Sequence, residues 1–224
     1  MKYISALMTA ASGSLRGIVA SHNAGGTYFR GRTTPTNPRT SFQQVVRNAV
    51  ANIAYAWTQV LTPAQRLAWD TFAKNTPIID RLGASIHIPA LGWYNKANSI
   101  RLQAGLTRVD AAPTEYALAD LTLPTIAVTA GNANATVSFT AADNWHASGG
   151  ALLIYSSRPQ NLSVNSPAGL SYRLAGAILG TASSPQNVVM SFGAPVANQN
   201  VFFRAVATAP DGRPSGALLI TKSL

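Results

Sequence analysis

Cysteine is missing altogether from this chain of 224 residues. Its absence removes disulfides, thiol nucleophiles and thiolate metal sites. Acidic side chains are nearly as scarce: seven in all, with one glutamate (Glu115) and none before Asp70. Asp70, Asp80, Asp143 and Asp211 fall in different segments without a common spacing, so the facing carboxylate pair of a glycosidase finds no support. The three histidines, His22, His87 and His146, are widely separated and lack metal-ligand spacing, so each reads as a structural or surface histidine. No phosphate loop of the Walker type is present, because Gly25-Gly26 is too short and precedes a strand. No serine sits in a nucleophile elbow. No apolar run approaches the roughly 18 residues of a membrane-spanning helix. The expectation is a protein that is not an enzyme, holds no cofactor and no metal, and has no membrane partner.

Charged residues of both signs make up 11% of the chain, under half the usual share of about 25%. Hydrophobic residues make up 47% and the mean hydropathy is slightly positive, which marks a globular chain. The surface must then be covered by Ser, Thr, Asn, Gln and Gly, a composition suited to proteins packed against neighbours. The net charge of +10 is concentrated at one end. Residues 1–110 hold twelve basic side chains against three aspartates, and residues 111–224 hold five against four. Either the N-terminal half meets something negative, or its arginines serve as packing and interface residues with buried stems. The opening MKYISALMTAASGSLRG has one lysine and an apolar run interrupted by Ser and Thr. It reads as an ordered N-terminal segment rather than a signal peptide.

Leu15–Ser21 and Thr27–Thr33 are β-branched and aromatic runs separated by HNAGG, which predicts a β-hairpin. Alternation places Tyr28, Arg30 and Arg32 on one face of its second strand. TTPTNPRT follows as an extended arm, with Pro35 and Pro38 fixing φ and holding Thr34 and Asn37 out of the helical region. Such an arm has no ladder of its own and must lie against another surface to be ordered. A capping box at Thr40/Gln43 or Ser41/Gln44 opens a long helix, with Phe42, Val46, Ala49, Val50, Ile53, Trp57 and Val60 as its apolar stripe. Thr62-Pro63-Ala64-Gln65 restarts the chain as a second helix to about Lys74, with Leu67, Ala68 and Phe72 as its stripe. The two helices form a hairpin in which Trp57 and Trp69 are expected to meet. A helix–turn–helix DNA reader using Arg66 fits less well, because the first helix is too long and the second has only Arg66 and Lys74 as basic residues. Ile78–Ile88 reads as an extended return to the first hairpin. A third helix follows Pro89, with Trp93, Ala97, Ile100 and Ala104 on one face and Gly105 as its stop.

From Leu121 the pattern changes to short alternating runs: TIAVTA, TVSFTA, ALLIYSS, YRLAGAILG, NVVMSFG, NVFFRAVAT and GALLITK. Seven strands at this spacing predict a β-sandwich. VFFRAVATAPDGRPSGALL resembles the closing strands of a fibronectin type III domain, a fold that implies no chemistry by itself. The expected class is therefore α+β. An N-terminal β-hairpin and helical docking module (1–110) leads through a linker (111–120) to an all-β fibronectin III/Ig-like sandwich (121–224).

A wider resemblance rests on the run from GSLRGIVASHNAGGTYFRGRTTPTNPRT through the Trp of the first helix to LTPAQRLAW, continued by DRLG, Asn98, Arg101 and YRL at Tyr172–Leu174. It is similar to a recurring type of tailed-phage and prophage protein found among virion structural genes. The resemblance implies a structural component of the virion. It would be a capsid-associated auxiliary (cement or decoration) protein, or a neck, tail or fibre-attachment protein, or a basic protein touching packaged DNA. Its partners would be coat, portal, neck or tail subunits and copies of itself. On the residues, the candidate partner interface comprises Arg16, Tyr28, Arg30, Arg32, Pro35, Asn37, Pro38, Arg39 and Arg47. A glycan-binding sandwich would need Trp145 or Tyr155 exposed.

Overall fold

A computed structural model describes residues 12–23, 26–79, 83, 85–166, 169 and 171–224. Most of the N-terminal segment, Ala24 and Gly25 of the hairpin loop, and Asp80 lie outside the described residues. The chain divides into two compact units, Met1–Gln44 and Val45–Leu224.

In the first unit, β1 (Gly13–Leu15), β2 (Ile18–Asn23) and β3 (Gly26–Gly31) form an antiparallel meander. The strand expected over Leu15–Ser21 is broken by a reversal at Arg16-Gly17. Arg16 takes φ 50°, a left-handed value that costs a non-glycine residue roughly 1–2 kcal/mol and that tight hairpin turns require. β3 stops at Gly31, so Arg32 lies beyond the strand, although its N–H still donates to Gly17 O at 2.8 Å. The arm that follows has no regular structure, and residues 31–40 are exposed throughout.

Helix α1 (Ser41–Tyr55) is capped by Thr40, whose Oγ1 accepts from the Gln43 N–H at 3.3 Å. The single long helix expected to Val60 changes at Ala56 into a π-helical turn, Ala56–Val60, closed by Leu61 N–H donating to Ala56 O. Side chains divert the carbonyls here. Thr58 Oγ1 donates to Ala54 O and Tyr55 O, and Arg66 Nη1 donates to Trp57 O and Thr58 O, both at 3.3 Å. Helix α2 (Pro63–Asn75) opens with a complete capping box: Gln65 N–H donates to Thr62 Oγ1 at 3.2 Å, and Thr62 N–H to Gln65 Oε1 at 2.9 Å. Its buried face is Trp69, Phe72 and Ala73, while Leu67 and Ala68 of the expected stripe are exposed. The expected return strand becomes its own short ladder, β4 (Ile78–Ile79) with β5 (Ser85–Ile86).

Helix α3 (Ala90–Gln103) ends as its sequence predicts. Gly105 takes φ 76°, Leu106 N–H donates to Arg101 O and Gly105 N–H to Leu102 O, a Schellman closure. The helical core is aromatic. Trp57 and Trp69, expected to meet each other, each pack on Tyr94 of α3, with centroids at 5.4 and 5.5 Å. Phe72 packs edge-on against Trp93 at 5.3 Å.

All seven expected β runs form strands. They are β6 (Thr125–Val128), β7 (Asn134–Ser138), β8 (Ala151–Ser157), β10 (Tyr172–Leu179), β11 (Gln186–Val189), β12 (Gln199–Thr208) and β13 (Leu218–Ser223), with a two-residue β9 (Gln160–Asn161) besides. One antiparallel sheet runs β10-β8-β12-β13 with β9 on β12, and a second runs β11-β7-β6. Ile126, Val137 and Val188 of the smaller sheet share one core with Leu152, Ile154, Val201 and Phe203 of the larger. The class is mixed α+β.

The segment after α3 does not hang free. Arg108 grips Asp110 through Nε–Oδ1 at 2.6 Å and Nη2–Oδ2 at 2.9 Å, and Tyr94 OH donates to the same carboxylate at 2.8 Å. This pairing holds the Asp110 carboxyl below the usual aspartate range, with Arg108 the largest cause. Burial, then the bond to Asp110, pushes the Tyr94 phenol well above its ordinary value. Farther on, Glu115 pairs with Arg213, and Ala119 bridges Ser215. The joint to the β sheets is Arg101, 4% exposed. Its Nε donates to Thr107 O at 2.9 Å, and its Nη1 reaches Gly149 O, Ala209 O and Pro210 O at 3.0–3.2 Å.

Candidate functional site

The nine candidate interface residues fall in three places. Arg16 sits in the β1–β2 turn and is exposed. On β3, Tyr28 is half-buried opposite Ser21, and Arg30 is exposed opposite Val19, two residues apart on one face. Arg32, Pro35, Asn37, Pro38 and Arg39 lie along the exposed arm, Arg39 at φ 48°. Arg47 is exposed on α1. Among the described residues none of these five arginines forms an ion pair. Only Tyr28 and Arg30 are brought onto a common surface by secondary structure.

The feature that residue-type reasoning missed lies on α1. Its stripe is amphipathic as expected, but Val46 and Val50 in its N-terminal part are not covered. Val45 is 66% exposed, Val46 43% and Val50 50%, and Val60 in the π turn is 48% exposed. The side chain of Phe42 lies outside the described set. Among the described residues, Ile53 is the first buried one in the chain. Over Ser41–Asn52 no described side chain is fully buried, and only Gln43, Gln44 and Ala49 are partly covered. Helices in proteins take most of their stability from packing an apolar face, and isolated helices of about 12–15 residues are marginal in water. The signal for this was present as periodicity. What the periodicity could not say was whether the cover comes from within the chain.

Several alternatives lose their residues. Arg66, the groove-reading candidate, is spent on the Trp57 and Thr58 carbonyls, and Lys74 pairs with Asp70 at 2.6 Å. Trp145 is fully buried in the β core with its Nε1 donating to Asp143 Oδ2 at 3.1 Å, and Tyr155 is half-buried with its hydroxyl on Gln103. Neither offers the exposed ring that a glycan platform needs. His87 Nδ1 lies 3.3 Å from Ala73 O and His146 Nε2 2.8 Å from Ala182 O, while His22 is exposed. Among the described residues, no group of three His, Cys, Asp or Glu side chains could hold a metal ion. No helix is long and apolar enough to cross a membrane among those residues. Comparison with protein-family models, with curated proteins and with solved structures finds no match.

Proposed function

We propose that this protein is a non-enzymatic structural component of a bacteriophage virion, a capsid-associated auxiliary (cement or decoration) protein. It docks on coat subunits through α1 and the basic arm, and projects a fibronectin III-like β-sandwich. The single observation that carries the docking role is the exposure of Val46 and Val50 on the apolar stripe, with Val45 exposed beside them, on a helix segment with no fully buried described side chain of its own. The exposed, proline-pinned arm supports it independently. The virion assignment rests on the resemblance of the NPRT…LTPAQRLAW run to tailed-phage structural proteins.

The partner surface follows from chemistry. An apolar stripe wants an apolar groove. A segment with no acidic residue before Asp70 favours an acidic partner surface, and disfavours the same segment of a second copy. Burying the open half of three valines is worth roughly 1 kcal/mol each. Together that is about 3 kcal/mol, a share of the docking energy to which the arm's arginines add. DNA would reward the arginines and leave the valines wet.

The test is particle binding by Val46→Lys/Val50→Lys. The isolated variant should unfold within about 0.5 kcal/mol of the parent, since both sites are exposed, yet fail to co-sediment with particles. A variant that still decorates particles normally refutes docking through α1. Imaging the bound protein then decides its station, with hundreds of copies on a shell expected here and about a dozen marking a neck protein.

A further inference from the structure

A second site lies on the larger β sheet, beyond the C-terminal end of β8. β8 begins beside Gly149, whose carbonyl Arg101 holds, and runs seven residues to Ser157. At about 3.3 Å per residue its far end is some 20 Å away. Arg158 follows β8 directly. Arg173, near the start of β10, pairs in register with Ser156, so sheet geometry brings the two arginines onto neighbouring strands. Phe192, from the loop after β11, takes both guanidinium groups on its ring: Arg173 Cζ is 4.6 Å and Arg158 Cζ 5.6 Å from the centroid. The two charges are therefore no farther apart than the sum of those distances, about one screening length at physiological salt. Together with Gln160 and Ser171 they line a cleft of about 320 Å³, at the lower end of small-ligand sites.

Two like charges held on one ring favour a counter-ion, and among the described residues no acidic side chain pairs with either. Residues 111–224 contain four acidic side chains. Glu115 and Asp211 are taken by Arg213, and Asp143 by Thr122 and Trp145. Asp120 is exposed and donates its main-chain N–H to Asn144 Oδ1 at 3.0 Å. Among the described residues neither Arg158 nor Arg173 forms an ion pair. Elsewhere in the second unit, Arg101, Arg108 and Arg213 are all committed to carbonyls or carboxylates. Stacking on an aromatic face orients a guanidinium while leaving its N–H edge available for bidentate bonding to an oxyanion.

We infer that the Arg158–Arg173–Phe192 cleft binds a small ligand through one phosphate or carboxylate group, with Gln160 and Ser171 supplying neutral hydrogen bonds to its remaining polar atoms. The inference is independent of where the protein docks.

The experiment is a titration of the full chain, at fixed ionic strength, with inorganic phosphate and separately with glucuronate, read by NMR of the arginine Nε–Hε and backbone amide signals. Saturable shifts confined to Arg158, Arg173, Gln160 and Ser171 are expected. Saturation by phosphate alone or by glucuronate alone also supports the site and identifies which anion it takes. Arg158→Gln and Arg173→Gln should each weaken binding at least tenfold, as loss of a charge-assisted hydrogen bond does. Arg204→Gln, whose guanidinium stacks on Tyr155, should leave binding unchanged. Unchanged melting curves for all three variants exclude misfolding as the cause. Absence of saturation with both anions overturns the inference. So do shifts spread evenly over exposed arginines such as Arg30 and Arg47, or equal weakening by Arg204→Gln.

Discussion

Replacing Arg101 with methionine tests whether one side chain holds the helices to the β sheets. Arg101 is buried and gives four hydrogen bonds to main-chain carbonyls on three separate segments. Bonds from a charged donor are worth about 1.5–3 kcal/mol each in isolation, but three of these share Nη1 and do not add. Burial also works against the charge, lowering the Arg101 pKa, so its loss returns part of a desolvation cost. The carbonyls of Gly149 and Thr107 belong to exposed residues and can turn to water, whereas Ala209 is 1% exposed. One orphaned carbonyl at about 1–3 kcal/mol and partial losses at the others give a net cost of about 3 kcal/mol. For a chain of this length that lowers Tm by roughly 10 °C. Arg101→Lys keeps the charge without the planar fork and should lose about 2 kcal/mol. The assay is urea unfolding in a Trp145→Phe background followed by tryptophan fluorescence, which then reports the helices through Trp57, Trp69 and Trp93. Hydrogen exchange of β12 peptides, read by mass spectrometry, reports the sheets. The parent should unfold in one transition by both readouts, and Arg101→Met should separate them, the helices melting first. A loss under about 1 kcal/mol with coincident transitions would refute the reasoning.

Two further outcomes are expected. Gly180→Ala would place a Cβ 2.0 Å from Ala147 O and 3.0 Å from Trp145 O, both main-chain atoms, and should cost about 3 kcal/mol in urea unfolding; a loss below 1 kcal/mol would mean that this loop yields freely. Asp110→Asn should destabilise the protein at neutral pH. Because the folded Asp110 pKa is depressed, its contribution is present above the ordinary aspartate value of about 3.9 and is lost as pH falls through the lower folded value. The stability gap between parent and variant should therefore close in acid, and a gap independent of pH would remove the Arg108–Asp110 pair as its cause.

The residues of this chain determine its local structure. Thr62 and Gln65 cap a helix because each satisfies the other's main-chain N–H within one turn, and Gly105 ends one because it accepts a positive φ. The seven β runs are legible because alternation is a property of neighbours along the chain. The arm of 32–40 is open for the same local reason, its prolines denying it a ladder. What only the tertiary structure decides is which faces are covered and which charges meet. The apolar stripe has one period, yet the core covers Ile53 and leaves Val46 and Val50 exposed, because the aromatic core that holds Trp93 and Tyr94 of α3 begins at Ile53. Trp145, the condition for a glycan platform, is core, Arg66, the residue of the less favoured DNA reading, holds two helix-end carbonyls, and Leu67 reads as core and is exposed. Arg101 meets Ala209 across 108 positions, and Arg158, Arg173 and Phe192 converge from three separate strands and loops. Such meetings depend on strand order and register. These are set by packing across the whole core, and no window of sequence contains them.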